Sequence, residues 1–482
     1  MTSGSQTEFE TVIGLEVHVQ LSTQTKMFCG CRNIFGSAPN TNVCPVCMGL
    51  PGSLPVVNRE ALRYAVRIGL ALNCEINRYI KFDRKNYYYP DCPKNYQISQ
   101  FDMPICYGGH LHIPVGDGEL KKIGITRAHL EEDAGKLVHA EDASLVDFNR
   151  TGTPLLEIVS EPDLRDPQEA YDYLQNLKLA ISYLDVSDCD MEKGSLRCDA
   201  NVSIRPAGST AFGTKTELKN MNSFKAVRAA LEYEISRQHK VVLAGEKVVQ
   251  ETRLWDESKL RTASMRSKEE AHDYRYFPDP DLVPFTLADS EIEAARAALP
   301  ELPEAKFQRF LKDYALTEYD AGIIIQDRGM ADFFETCAGI YDDYKKICNW
   351  LNGSVLQAIN ERKTTIAQLG MTPERLTDLI MKVDDGTISN LVAKDVFLKM
   401  LDSGKDATAI IEEEGLAQVS DEGELEGIVD ALVTDNPQVV EQIQSGQEKA
   451  IGFLVGQAMK KTQGKANPKM IRELITRRLS DG

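Results

Sequence analysis

Several features are absent from this 482-residue sequence, and each absence excludes a class of protein. No apolar run approaches the roughly 20 residues that a membrane-spanning helix requires, so we expect no membrane association. The first residues are polar and acidic and resemble neither a secretory signal nor an Arg-rich transit sequence, which predicts a cytoplasmic protein. The eleven cysteines are an odd number and are spread along the chain, which is not typical of a disulfide framework. A net charge of −18 argues against non-specific nucleic-acid binding by the whole surface.

The common nucleotide-binding and nucleophile motifs are missing as well. The sequence has no G-x-x-x-x-G-K-[ST], no convincing G-x-G-x-x-G after a strand pattern and no G-x-S-x-G elbow. A phosphate-handling enzyme with this sequence would therefore have to bind its nucleotide through metal ions and carboxylates.

Four cysteines near the N-terminus form the strongest single motif. They occur as two close pairs, a Cys-x-Cys and a Cys-x-x-Cys with twelve residues between them, within residues 29–47: Cys29, Cys31, Cys44 and Cys47. Two such pairs can surround one tetrahedral Zn²⁺, so the spacing predicts a structural zinc knuckle. The alternative is a set of unpaired thiols.

Two segments alternate apolar and polar residues in the manner of half-buried strands. In residues 13–21 the apolar positions would face a core, while Glu16 and His18 would share the other face. Residues 196–204 alternate in the same way and place Arg197 and Asp199 on their polar face. We therefore predict two strands whose polar faces carry charged side chains.

Other strand-like segments repeat this design. Residues 125–133 bring Arg127, His129 and Glu131 to one face, and further acids occur within 155–161 and 215–219. If these strands pair in one antiparallel sheet, a concave acidic site results, formed by Glu16, His18, Glu131, Glu157, Asp199 and Glu217. Oxygen-rich ligands with few histidines suit Mg²⁺ or Mn²⁺. Flanking cations would neutralise phosphoryl charge, namely Arg197, Arg205 and Lys215. The alternative is a sheet whose outer face is merely solvated.

The composition changes twice along the chain. Strand patterns dominate residues 1–291, helical periods dominate 292–405, and a small helical tail covers 406–482. We therefore predict an α+β body followed by two all-α parts. The tail is locally basic, with Lys460, Lys461, Lys465, Lys469, Arg472, Arg477 and Arg478. These residues favour phosphate contact, and an ordinary solvated helix face is the alternative.

Long stretches of the sequence can be compared with known families. They comprise the two cysteine pairs and residues 13–20, 84–91, 129–136, 147–157, 193–203 and 274–280. Together they resemble the GatB family, the B subunit of the aspartyl/glutamyl-tRNA(Asn/Gln) amidotransferase. The resemblance runs in order through the body and the tail and covers essentially the whole chain.

The resemblance implies a specific reaction. Family members act with a GatA-type amidase subunit and a GatC-type small subunit as a heterotrimer on misacylated tRNA(Gln) or tRNA(Asn). The GatB chain uses ATP and Mg²⁺ to activate the side-chain carboxylate of Glu-tRNA(Gln), and in many cases Asp-tRNA(Asn), as an acyl phosphate. Ammonia made from glutamine by the partner then displaces phosphate. The implied body is an antiparallel-sheet cradle resembling the glutamine-synthetase catalytic fold, and the implied tail is YqeY-like and binds tRNA.

The resemblance also implies roles for individual residues. Glu16, His18, Glu131 and Glu157 match the metal-binding motifs, and Glu131 would gate or deprotonate ammonium. Lys85 would contact the channel or the substrate.

Three functions are compatible with the residues alone. The first is an ATP- and Mg²⁺-dependent ligase or kinase acting on an RNA-borne substrate. The second is a non-catalytic tRNA-binding scaffold, which explains the tail but not the acidic strands. The third is a metal-dependent hydrolase or nuclease, which the absence of a histidine-rich metal motif disfavours. With the resemblance included, we predict the amidotransferase.

Overall fold

The structure is a computed structural model, and it describes residues 8–116, 119–140, 142–265, 274–417, 422–444, 450–462, 466 and 468–480. The chain forms two compact units, Met1–Pro303 and Glu304–Gly482. All of the described strands belong to the first unit, and the second unit is built from helices.

The strands of the first unit are numbered in chain order. They are β1 Phe9–Gln20, β2 Glu75–Ile76, β3 Tyr79–Ile80, β4 Asp83–Asn86, β5 Tyr96–Ser99, β6 Cys106–Val115, β7 Glu119–Glu132, β8 Lys136–His139, β9 Ser144–Asp147, β10 Pro154–Ser160, β11 Leu196–Pro206, β12 Thr216–Lys219, β13 Thr252–Asp256, β14 Arg261–Ser264, β15 Phe277–Pro278 and β16 Phe285–Thr286. Within the described residues, nine of them form one sheet in the order β14-β13-β12-β11-β1-β10-β7-β6-β2. Neighbouring strands run antiparallel except β12 and β13, which are parallel.

The helices are numbered in the same way. The first unit contains α1 Arg59–Ala71, α2 Pro167–Ser182, α3 Phe224–Leu243 and α4 Asp289–Ala297. The second unit contains α5 Pro303–Asp313, α6 Glu318–Ile324, α7 Arg328–Ala338, α8 Tyr344–Trp350, α9 Leu356–Arg362, α10 Pro373–Asp384, α11 Asn390–Ser403, α12 Ala407–Glu413, α13 Glu422–Asp435, α14 Pro437–Gln444, α15 Ile451–Lys461 and α16 Pro468–Ser480. A π-helical stretch, Leu351–Val355, joins α8 to α9.

The large sheet buries one face against helices and leaves the other polar. The predicted apolar positions of β1 are all buried, and so are those of β11: Ile13, Leu15, Val17, Val19, Leu21, Leu196, Cys198, Ala200, Val202 and Ile204. Helix α2 packs on β6 and α3 packs on β11, so helices cover this face. Side chains of a strand alternate between faces, and the polar residues of both strands therefore lie on the opposite face. The predicted α+β body with an antiparallel-dominated sheet and a helical C-terminal region is confirmed.

The helix starts follow the local sequence. The side chains of Asn58, Asp166 and Ser223 accept hydrogen bonds from first-turn amides of α1, α2 and α3, respectively. Such caps satisfy backbone donors that have no partner within the helix. Pro167 at the first turn of α2 removes another of these donors.

The first compact unit continues past residue 291, and the predicted domain boundary there stays a prediction. Ile292 of α4 belongs to the core of the first unit, and α4 packs against α1. The first unit therefore extends to Pro303. Within the second unit, the predicted tail has an apolar cluster of its own, which includes Leu425, Leu454 and Ile471. The boundary at residue 405 stays a prediction. Among the described residues, no helix combines the length and the hydropathy that crossing a membrane would require.

Candidate functional site

The polar face of the large sheet brings predicted site residues together. His18 of β1 is directly opposite Arg197 of β11 on one side and Glu157 of β10 on the other. Glu157 is in turn opposite His129 of β7. Because paired positions share a face of a sheet, these four side chains form one row across four strands.

His18 is the centre of a carboxylate cluster. Its Nε2 lies 3.3 Å from Oε2 of Glu157, 3.4 Å from Oε1 of Glu131 and 4.0 Å from Oε1 of Glu16. Glu131 and Glu157 are buried, whereas Glu16 is partly exposed. One ligand atom from each of Glu16, His18 and Glu157 lies within 4.8 Å of the others, so these three residues could hold a metal ion. Two carboxylates and one imidazole form a donor set that fits Mg²⁺ or Mn²⁺.

The cluster separates the proton affinities of its members. Burial would lower the pKa of His18, but the hydrogen bond to Glu157 and the charge of Glu131 outweigh it and raise this pKa to about 9. Burial raises the pKa of Glu131 to about 7. Burial also raises the pKa of Glu157. The imidazoles of His129 and His18 outweigh this effect and lower the pKa of Glu157 to about 2. Glu157 is therefore held ionised, and Glu131 is the carboxylate that takes up a proton more readily.

His129 belongs to the cluster although it was not predicted as a ligand. Its Nε2 lies 3.5 Å from Oε2 of Glu157, and only 5% of the residue is exposed. Burial lowers the pKa of His129 to about 4, so its imidazole is neutral at pH 7. His129, Glu131 and Glu157 form a second group that could hold a metal ion. The alternation of residues 125–133 placed His129 on the polar face, but only the pairing of β7 with β10 shows that it faces Glu157.

Asp199 and Glu217 lie beside the cluster and share a lysine. Asp199 is directly opposite Glu16, and Glu217 of β12 is opposite Asn201 of β11. Nζ of Lys219 lies 3.2 Å from Asp199 and 3.1 Å from Glu217, and this ammonium offsets their charge. Among the described residues, neither acid belongs to a group whose ligand atoms converge as those around His18 do.

The three predicted phosphate-binding cations occupy different positions. Arg197 is in the same row as His18 and lies 3.1 Å from Asp133. Lys215 and Glu16 line one cavity of about 280 Å³. Arg205 pairs with Glu10 at 2.8 Å, eight residues and on the order of 26 Å along β11 from Arg197. The structure therefore places Arg197 and Lys215 near the cluster and Arg205 at the far end of its strand.

Lys85 approaches the cluster from a separate small sheet, β15-β4-β5. Its Nζ lies 4.9 Å from the ring centroid of Tyr274, and the amide of Asn86 donates a hydrogen bond to the Tyr274 carbonyl. Burial opposes the charge of Lys85, but the nearby carboxylate of Glu131 outweighs it and raises the pKa of Lys85. The ammonium of Lys85 is thus near enough to Glu131 for the two charges to interact.

The cysteine motif converges as predicted. One Sγ atom from each of Cys29, Cys31, Cys44 and Cys47 lies within 4.8 Å of the others. A tetrahedral Zn²⁺ with Zn–S bonds of about 2.3 Å separates its sulfurs by about 3.8 Å, so the four thiols fit one ion. The thiol of Cys29 and the ammonium of Lys26 lower the pKa of Cys47 to about 5. All eleven cysteines are free thiols.

The basic residues of the tail are exposed but partly paired. Lys461 lies 3.4 Å from Asp435, Arg478 lies 2.6 Å from Asp430, and Arg477 pairs with Glu426. Lys460, Lys469 and Arg472 are exposed on α15 and α16. Lys465 lies outside the described residues. The described basic residues therefore lie on two neighbouring helices, α15 and α16. Three of them, Lys461, Arg477 and Arg478, are paired with acidic side chains.

Comparison with known proteins identifies relatives along nearly the whole chain. Residues 11–293 match the GatB/GatE catalytic domain, and residues 332–479 match the GatB domain. The B subunit of an aspartyl/glutamyl-tRNA(Asn/Gln) amidotransferase from Carboxydothermus hydrogenoformans is 55% identical over 98% of this chain and 99% of its own length. The protein of the same name from Brevibacillus brevis is 56% identical over 97% of this chain and 98% of its own length. The resemblance found in the sequence motifs is thereby confirmed, and the chain belongs to the GatB family.

Proposed function

We propose that this chain is the kinase and amidotransferase subunit of a tRNA-dependent amidotransferase. The observation that carries the proposal is the convergence of two buried carboxylates, Glu131 and Glu157, within 3.4 Å of Nε2 of His18 on the polar face of the sheet. The relatives are named as B subunits of an aspartyl/glutamyl-tRNA(Asn/Gln) amidotransferase, which supports the substrate assignment.

The first step would activate a carboxylate. An oxygen of the side-chain carboxylate of Glu-tRNA(Gln), or of Asp-tRNA(Asn), attacks the γ-phosphorus of ATP, ADP leaves, and an acyl phosphate results. Bound Mg²⁺ would neutralise phosphoryl charge, and we assign Glu16, His18 and Glu157 to hold it. Asp199 and Glu217 are secondary candidates that lie beside this group. Arg197 and Lys215 would contact phosphates, and Arg205 would need to act at a more distant point of the cradle.

The second step would form the amide. Ammonia attacks the acyl carbon, and phosphate leaves as the better leaving group that activation created. Glu131 is buried, lies 3.4 Å from Nε2 of His18 and interacts electrostatically with the ammonium of Lys85, so we assign it to accept the proton of incoming ammonium. Lys85 would orient the carboxylate substrate or Glu131 itself. In this scheme Glu131 of β7 and Lys85 of β4 act in the amidation step. The residues of β1 and β10, namely Glu16, His18 and Glu157, would hold the Mg²⁺.

The remaining assignments concern fold and partners. We propose a cradle of the glutamine-synthetase type for the first unit, a structural Zn²⁺ in the cysteine cluster and a YqeY-like tail that binds tRNA. Ammonia would come from a GatA-type amidase subunit, with a GatC-type chain completing the heterotrimer in the cytoplasm. The relatives are named as one subunit of an enzyme, which supports the existence of partner chains.

The test is conversion of Glu-tRNA(Gln) to Gln-tRNA(Gln) by the chain co-expressed with its partner subunits. One reaction receives glutamine and a parallel one receives ammonium chloride, each with and without ATP. ATP-dependent conversion with both nitrogen donors supports the proposal. Binding of tRNA with no conversion and no tRNA-stimulated ADP release would favour the alternative of a non-catalytic tRNA-binding scaffold.

A further inference from the structure

A buried lysine lies beside the cysteine cluster and has no part in the proposed reaction. Lys26 is 1% exposed, and its ammonium donates a hydrogen bond to the Asn42 carbonyl at 2.9 Å. The same Nζ lies 3.9 Å from Sγ of Cys47. The lysine stem packs under the Gly152 turn, where an added Cβ would lie 3.5 Å from Cδ of Lys26. A fully buried ammonium thus faces a sulfur of the cluster.

The chain contains a comparison that shows what a buried lysine ordinarily requires. Lys306 is 5% exposed, and its Nζ lies 2.9 Å from Asp332 and 2.6 Å from Glu335. In the described part of the chain, no carboxylate oxygen lies within 4.0 Å of Nζ of Lys26. Burying a charge without a counter-charge is strongly unfavourable. Sγ of Cys47, 3.9 Å from Nζ, is therefore the group that could supply the counter-charge of Lys26 at short range.

The charge of a four-thiolate metal centre supplies what Lys26 lacks. Four thiolates around one Zn²⁺ carry a net charge of −2, and one adjacent ammonium reduces it to −1. We infer that Lys26 is a charge-compensating residue of the metal centre, which stabilises the thiolate of Cys47 and thereby the bound ion. This inference rests on the zinc assignment proposed above.

Neighbouring hydrogen bonds point to the same sulfur. The amide of Cys44 donates to Sγ of Cys47 at 3.1 Å, so this sulfur receives both an N–H group and the ammonium. The amide of Lys26 donates to the carbonyl of Cys31 at 2.9 Å, which fixes the lysine backbone to the knuckle. Groups that donate to metal ligands tune the affinity of the metal, with typical losses of 10- to 100-fold when they are removed.

The experiment measures zinc affinity of the full chain by competition with a chromophoric chelator. Lys26→Met removes the charge at similar length, Lys26→Gln keeps a donor for the Asn42 carbonyl, and Lys26→Arg keeps the charge. Lys306→Met is the matched control, a buried lysine of the other unit. We expect the zinc Kd to rise at least about tenfold in the Met and Gln variants. We expect a rise of less than about threefold in Lys26→Arg and no change in Lys306→Met.

Cobalt(II) substitution separates a charge effect from a packing effect. The d–d bands of tetrahedral Co²⁺ report whether four thiolates still bind, and the thiolate-to-cobalt charge-transfer band reports the electron density on sulfur. Losing the ammonium should move this band to lower energy in Lys26→Met while the d–d bands persist. An unchanged zinc Kd in Lys26→Met, an equal loss in Lys26→Arg, or an unshifted charge-transfer band would each overturn the inference. Failure of the unsubstituted chain to bind one zinc would instead overturn the zinc assignment itself.

Discussion

Replacing Glu131 by glutamine tests the proposed chemistry most directly. The substitution keeps the size of the side chain and removes one negative charge 3.4 Å from Nε2 of His18. The amide cannot accept the proton that we assign to the Glu131 carboxylate. A positioned proton acceptor typically contributes about 10²- to 10⁴-fold to a rate. We therefore expect a loss of about 10²- to 10³-fold in rate, which corresponds to about 3–4 kcal/mol of transition-state stabilisation.

The assay is single-turnover conversion of Glu-tRNA(Gln) with ATP and ammonium chloride, so that the partner's glutaminase step does not enter. Filter binding measures the tRNA Kd of the same complexes, which should change by less than about threefold because Glu131 lies deep in the sheet face. Glu161→Gln is the matched control. Glu161 is exposed just past the end of β10 and accepts a hydrogen bond from Thr126 at 2.8 Å.

Two results would refute the reasoning. One is a rate for Glu131→Gln within about tenfold of the unsubstituted complex. The other is an equal loss in Glu161→Gln, which would show that any charge removed from this face has the same effect.

The remaining predictions concern the metal centre, the core and the tail. Cys47→Ser should abolish stoichiometric zinc and lower the thermal unfolding midpoint, and full zinc content by elemental analysis would contradict the four-thiolate assignment. Tyr173→Phe should leave stability unchanged or raise it by about 1 kcal/mol in denaturant titration, because the described residues offer this buried hydroxyl no partner. A loss above about 1 kcal/mol would show that the hydroxyl is bonded. Lys460→Glu should weaken tRNA binding and reduce the slope of log Kd against log salt by about 1. Lys405→Glu is the control: it removes an ammonium that is paired with Glu413, and it should change neither quantity. Equal effects of the two substitutions would leave the tail without a specific role.

Alternation within single strands was enough to predict which side chains share a face. The period-2 patterns of residues 13–21 and 196–204 placed Glu16, His18 and Asp199 on the polar face, and the structure confirms both apolar faces as buried. The cysteine spacing likewise predicted a cluster that the structure forms. Both signals are local, because a strand period and a short metal motif need no knowledge of distant partners.

Pairing between distant segments could not be predicted in the same way. The neutralisation of Asp199 by Lys219 depends on β12 pairing with β11, and the contact of His129 with Glu157 depends on the register of β7 against β10. A shift of one residue in either register would turn these side chains to the buried face. Arg205 could not be placed from the sequence for the same reason. It lies on the predicted face of β11, but the pairing of β11 with β1 puts it beside Glu10.

Backbone hydrogen bonds connect the cysteine cluster to the polar face of the large sheet. The amide of Met27 donates to the Gly152 carbonyl at 2.7 Å, and the amide of Gly152 donates to the Asp133 carbonyl at 2.9 Å. Asp133 follows the end of β7, two residues after Glu131, and Gly152 precedes the start of β10, which carries Glu157. Gly152 has a φ of +86°, a conformation that glycine adopts without strain. The turn between the two strands therefore requires glycine at this position. The cysteine-containing segment therefore fixes the point where the two strands that carry the buried carboxylates come together. A metal ion bound by the cysteines would stabilise the geometry of the carboxylate cluster without being one of its ligands.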